Sequence, residues 1–179
     1  MKKVLFAAFL TVCATGAFAQ INKGQWLVGG TVGFNSQKFG DGDENKVSML
    51  NISPNGGYFF MDKLAAGLRL DFTSTKVKSE DDAYSDFAVA PFVRYYFLPT
   101  TEKVNLFLDG SYGFGSAGQE DKTNQSYFAF VAGPAVFLSP SVALELGIGY
   151  KSYKYKDIDD RDNRFGVNVG FQVHLGGKK

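Results

Sequence analysis

After residue 25, apolar and polar residues alternate strictly along this chain in eight separate stretches. In the first, Trp26, Val28, Gly30, Val32 and Phe34 share one face, while Gly29, Thr31, Gly33 and Asn35 share the other. The second carries Leu50, Ile52, Pro54, Gly56, Tyr58 and Phe60, and the pattern restarts at Leu64, Phe87, Leu106, Phe128, Val142 and Phe165. A period of two is the signature of a β-strand with two unlike faces. No charge falls on the apolar face of any stretch. Successive starts are 24, 14, 23, 19, 22, 14 and 23 residues apart, so long and short steps alternate. Eight antiparallel strands follow, with short turns at about 61–63, 98–103 and 139–141 on one rim. Longer loops at about 37–46, 75–85, 116–125 and 156–163 fall on the other.

Two closed sheets fit eight such strands: a soluble barrel with an apolar inside, or a membrane barrel with an apolar outside. A solvated outer face needs many lysines and glutamates. The less apolar face here is read mainly as Gly, Ala, Ser and Asn, suited to the inside of a narrow barrel. Five or six alternate apolar positions imply about 11 residues per strand, which at about 3.3 Å each and about 40° of tilt span roughly 28 Å. That matches an outer-membrane apolar band. Trp26, Tyr58, Phe60, Tyr95 and Phe97 lie near the short turns, the place for an aromatic girdle. The predicted fold is an all-β, eight-stranded antiparallel up-and-down transmembrane barrel. Spanning helices are excluded, because the longest later apolar run, 127–138, is twelve residues.

The first residues are of another kind. Lys2 and Lys3 precede an apolar run from Val4 to Val12 and then Ala17-Phe18-Ala19, a small-x-small cleavage pattern. Residues 1–19 are therefore expected to be a signal peptide, and 20–179 the barrel domain. Cys13, the only cysteine, leaves with that segment; Val12 is too bulky for lipoprotein processing there. One cysteine excludes a disulfide framework, and one histidine excludes a multi-histidine metal centre. Nineteen basic and 18 acidic residues nearly cancel, which gives no reason to expect nucleic-acid binding.

Two motifs are more specific. Pro54-Asn55-Gly56-Gly57-Tyr58-Phe59-Phe60 is followed by Leu64-Ala65-Ala66-Gly67-Leu68, and Pro91-Phe92-Val93-Arg94-Tyr95-Tyr96-Phe97 repeats the Pro-x-x-x-Tyr-x-Phe spacing. Pro134 to Leu138 echoes it. Through these, residues 20–179 resemble the small eight-stranded outer-membrane proteins, OmpX-like and similar to the OmpA transmembrane domain, in their Bacteroidota versions. The resemblance implies short periplasmic turns, extracellular loops and a place in a Gram-negative cell outer membrane. The chain ends Leu175-Gly176-Gly177-Lys178-Lys179 where such proteins usually end on an aromatic. Proline is normally avoided inside paired strands, so Pro54, Pro91 and Pro134 are expected at bulges.

An eight-stranded barrel is narrow enough to be filled by its own side chains. Arg69, Asp71, Arg94, Asp109, Glu145, Lys151 and Arg164 are accordingly expected to form a structural charge network closing the lumen; a narrow ion path is the alternative. His174 faces inward near the short turns and is expected to be hydrogen-bonded, with Glu145 of the preceding strand as a candidate neighbour. It lacks an evident nucleophile, so no enzyme activity and no cofactor are expected. Twelve of 18 acids lie in the loops, and the run 157–162 breaks the calcium hand-loop pattern. The function expected is a monomeric, non-enzymatic envelope scaffold. Its loops would meet lipopolysaccharide, a host surface or another cell, with strand addition at protruding edges as one mode. The alternative is a small pore, or a side-opening conduit for small or apolar solutes as in OmpW-like barrels.

Overall fold

The computed structural model describes residues 21–38, 46–78, 83–118, 123–156 and 159–176. They form eight strands: β1 (Trp26–Lys38), β2 (Lys46–Met61), β3 (Leu64–Val77), β4 (Ala83–Tyr96), β5 (Val104–Gly118), β6 (Thr123–Ser139), β7 (Val142–Tyr155) and β8 (Arg161–Leu175). Each pairs antiparallel with the next and β8 pairs back with β1, so the sheet closes in chain order. The expected signal peptide and most of the acidic loop residues lie outside the described residues.

The apolar face points outward. Phe34 and Ile148 are each 69% exposed, whereas Arg94 is 1% and Asp109 0% exposed. This rules out the soluble barrel, whose apolar side chains would be inside. Following paired positions from Trp26 through Tyr58, Ala66, Val93, Gly110, Phe130, Tyr150 and Phe165 brings the register back to β1 at position 36, ten residues above its start. Such an offset requires tilted strands around a narrow lumen.

Three expectations change. The strands are 13 to 17 residues long and continue into the segments predicted as loops. Above the apolar band the outer face no longer needs apolar residues, so the hydrophobic alternation stops while backbone pairing goes on. Secondly, the prolines are not at bulges. Pairing lapses beside Pro54, Pro91 and Pro134 on one side and resumes without a change of register, while each stays in register on the other side, opposite Gly30, Leu68 and Leu106. A proline without an N–H can keep its place in a ladder if it forfeits one side only. The register shifts fall instead at Phe59/Met61 and Phe137/Ser139, beside the tight turns. Thirdly, the inner face is not mainly small: Leu27, Phe59, Phe92, Tyr96, Phe107, Tyr127, Phe137 and Tyr153 are all buried.

The seam between β1 and β8 is shorter than the other pairings. It runs from Trp26↔Leu175 to Val32↔Val169. Beyond it, among the described residues, Gly33–Lys38 pairs only with β2 and Arg161–Asn168 only with β7.

Candidate functional site

Because inward positions alternate along every strand, eight tilted strands deliver side chains to the lumen in tiers. The lowest tier, near the tight turns, is aromatic. His174 lies there, 2% exposed, with ring centroids of Phe59, Tyr96 and Phe137 at 5.6, 5.9 and 5.3 Å. Neither ring nitrogen makes a well-formed hydrogen bond among the described residues; the backbone amide donates to the carbonyl of Ser141 at 2.7 Å, and that carbonyl is a polar group close to the ring. The expected side-chain hydrogen bond is therefore absent there. Glu145 is already committed to Arg94 and Tyr96, which leaves His174 in an aromatic cage.

The next tier is a continuous ionic chain across the lumen. Arg69 Nη2 of β3 donates to both carboxylate oxygens of Asp109 on β5, at 3.0 and 2.9 Å. Arg94 Nε of β4 donates to Asp109 Oδ2 at 3.0 Å, and its Nη1 reaches both oxygens of Glu145 on β7 at 2.9 and 3.0 Å. The Tyr96 hydroxyl donates to Glu145 Oε1 at 3.0 Å. Arg94 and Asp109 are direct cross-strand partners, so register alone brings them together. The Phe107 ring centroid lies 4.8 Å from the Arg94 guanidinium carbon. Two acids and two arginines buried together keep the lumen neutral, which is what allows charges to survive out of water.

Asp71 and Lys151 form a separate tier. Asp71 accepts from Ser53 Oγ and Tyr127 Oη, and from Lys151 Nζ at 3.3 Å. The ammonium also sits 4.7 Å from the Tyr127 ring centroid. Tyr127 can lie flat here because its cross-strand partner is Gly113, where a Cβ would meet the ring at 2.1 Å. Gly29 has a similar role. It pairs with Asn55 on one side and Gln172 on the other, and those two amides exchange hydrogen bonds of 3.1 and 3.0 Å past it. A chamber of about 30 Å³, lined by Thr31, Asn51, Arg69, Lys151, Asn168 and Gly170 among others, lies within these tiers. That is room for about two water molecules.

Arg164 belongs to neither tier. Its guanidinium pairs with Asp162 at 2.5 Å and stacks 4.7 Å from the Tyr153 ring, nearer the loop rim. Of the seven charges read from the sequence, the structure thus joins Arg69, Arg94, Asp109 and Glu145, joins Asp71 with Lys151, and sets Arg164 apart. The girdle residues Trp26, Tyr58, Phe60, Tyr95 and Phe97 are all exposed on the outer face. Trp26 meets Tyr58 edge-on at 5.2 Å and Tyr95 meets Phe97 at 5.0 Å. Sequence reasoning missed Tyr96 and Tyr127, the hydroxyls that complete both ionic tiers. The signal was in the adjacent aromatics Tyr95-Tyr96 and Tyr127-Phe128: neighbours in a strand point to opposite faces, so one of each pair must face inward. Among the described residues, no group of three or more His, Cys, Asp or Glu is placed to hold a metal.

The fold is that of solved outer-membrane barrels. Neisserial surface protein A is similar with a TM-score of 0.63 at 14% identity, over 84% of this chain and 97% of that one. The N-terminal β-barrel domain of Pseudomonas aeruginosa OprF is similar with a TM-score of 0.50 at 12% identity, over 84% of this chain and 98% of that one. No curated protein matches the chain in sequence. The family model of the outer membrane protein beta-barrel domain matches residues 5–177, and the chain belongs to that family.

Proposed function

We propose that this barrel is a closed, monomeric, non-enzymatic scaffold of the outer membrane, exported by a cleaved signal peptide at residues 1–19. Its extracellular loops, and the strand ends that carry them, are the working surface. The observation that carries this reading is the ionic chain from Arg69 to Glu145, which ties β3, β4, β5 and β7 together across the lumen. A lumen so occupied leaves little room for a solute. Planar-bilayer recording on the refolded chain, with insertion established by protease protection, tests it. Insertion without discrete conductance steps is expected. Steps that change when Arg94 or Asp109 is neutralised would make the protein a channel instead.

The partners proposed for the extracellular ends are lipopolysaccharide and a host or cell-surface protein. Strand addition is supported by the seam-side edges of Gly33–Lys38 and Arg161–Asn168, which have no strand partner among the described residues and offer backbone donors and acceptors to an incoming strand. Shortening the 78–82 and 119–122 connections should leave such binding intact, whereas a disulfide between cysteines placed at Phe34 and Val167 should abolish it. Binding that survives the locked seam sinks this mode. The same seam favours the second reading, a side-opening conduit, because the chamber lies behind it, bordered by Thr31, Asn168 and Gly170. Solute flux lost on locking would support that reading.

A further inference from the structure

The bottom of the lumen is closed by a piece of chain that belongs to no strand. Residues 21–25 precede β1 and cross the periplasmic rim to the β2–β3 hairpin. The Lys63 amide donates to the Ile21 carbonyl at 3.0 Å, and the Gly24 amide to the Phe59 carbonyl at 2.8 Å. The Phe59 amide donates to the Gln25 carbonyl at 2.9 Å, and the Lys23 amide to Asp62 Oδ1 at 2.8 Å. Ile21 has no exposed surface and packs in the same cluster as Leu27, Phe59, Tyr96, Phe107 and Phe137. Each other buried member of that cluster is fixed by a strand paired on both sides. Among the described residues, the 21–25 segment is hydrogen-bonded outside itself only to that one hairpin.

The contrast in attachment sets what can open. Moving a strand breaks a ladder of backbone pairs, and for β3, β4, β5 or β7 the ionic chain with it. Releasing the 21–25 segment breaks a few bonds to one turn, and local openings of a fold are drawn from such weakly tied parts. Gly24, at φ +93° with open space around its Cβ position, provides a pivot between Ile21 and β1. Beneath lies His174, whose ring nitrogens make no well-formed hydrogen bond among the described residues.

We propose that residues 21–25 are a displaceable stopper: Ile21 covers the aromatic cage packed around His174, and release of this segment, not parting of the strands, is how water and small solutes reach that side chain. The proposal goes beyond the scaffold reading and does not depend on any loop partner. Conductance tests that reading, whereas the stopper is tested by reagent access to one side chain.

His174 is the chain's only histidine, so its carbethoxylation by diethyl pyrocarbonate can be followed unambiguously by peptide mass. The full protein, extracted from membranes into detergent, is compared with Ile21→Asp, Ile21→Ala and Asp62→Ala. Retained heat-modifiable migration in gels shows that each barrel is closed. Slow modification is expected for the unaltered protein, and at least roughly tenfold faster modification for Ile21→Asp, since reactivity follows the open population. Ile21→Ala and Asp62→Ala, which weaken the seat without a buried charge, should fall between. A folded Ile21→Asp or Ile21→Ala barrel with His174 as protected as in the unaltered protein overturns the proposal. So does fast modification of the unaltered protein.

Discussion

Replacing Arg94 by methionine is expected to destabilise the barrel by about 3–5 kcal/mol, the range for stranding a buried charge by removing its partner. Arg94 is the hinge of the ionic chain, bonded to Asp109 through Nε and to Glu145 through Nη1. Without it, Glu145 keeps only the Tyr96 hydroxyl among the contacts described, and Asp109 keeps only Arg69. Both carboxylates are at most 2% exposed, so the guanidinium cannot be replaced by bulk water. Methionine fills much of the same volume, which separates loss of charge from loss of packing. The double variant Arg94→Met, Glu145→Gln should recover more than half of the loss, because the unpaired carboxylate carries most of the cost. Urea unfolding in detergent micelles provides the measurement. Equal losses in the single and double variants would mean that Arg94 acts through its packing on Phe107, and that the ionic chain is incidental.

What the sequence discloses here depends on which physical constraint each residue answers to. Val32, Leu68, Leu146 and Val167 face outward because a period of two sets direction, and an uninterrupted apolar face needs an apolar surrounding. Strand number, order and inside-outside sense all follow from that one constraint. The ends of the strands answer to a different one. Ser116, Ala117 and Gly118 still pair as part of β5, yet nothing in their polarity distinguishes them from a loop. Pairing in that region is fixed by the partner strand, which a local pattern does not contain.

The lumen was legible by residue type but not by connection. Arg94 and Asp109 meet because they are register partners, a relation the turn length at 97–103 decides. Arg69, Asp109 and Glu145 are 40 and 36 positions apart in sequence and meet only because the tilt of a closed barrel carries β3, β5 and β7 to one level. Arg164 has the same inward parity as Asn168 and Gln172, but its height on β8 places it with Asp162. Parity is local and readable; height depends on the register accumulated around the whole barrel. Ile21 was invisible for a further reason. It precedes the first strand, so no alternation includes it, and its seat exists only after β2, β4 and β6 have delivered Phe59, Tyr96 and Phe137.

Phe59→Ala should cost a similar amount, about 3–5 kcal/mol, by a different route, since removing a large buried ring loses both transfer energy and packing around the cavity left behind. Phe59 has no exposed surface and lies between Tyr96 at 6.1 Å and His174 at 5.6 Å, centroid to centroid. Its backbone also holds Gly24 and Gln25, so the ring and the periplasmic segment share one residue. The substitution keeps those backbone bonds and deletes only the side chain. Its two readouts therefore separate packing from closure. The urea midpoint should fall in proportion to the lost packing, while diethyl pyrocarbonate modification of His174 should rise far less than in Ile21→Asp, because the 21–25 segment stays tied to Lys63 and Phe59. If Phe59→Ala instead exposes His174 as fully as Ile21→Asp does, the ring and not the segment is what closes the barrel. If stability is unchanged, the aromatic tier is loosely packed and backbone pairing holds the strands at that level.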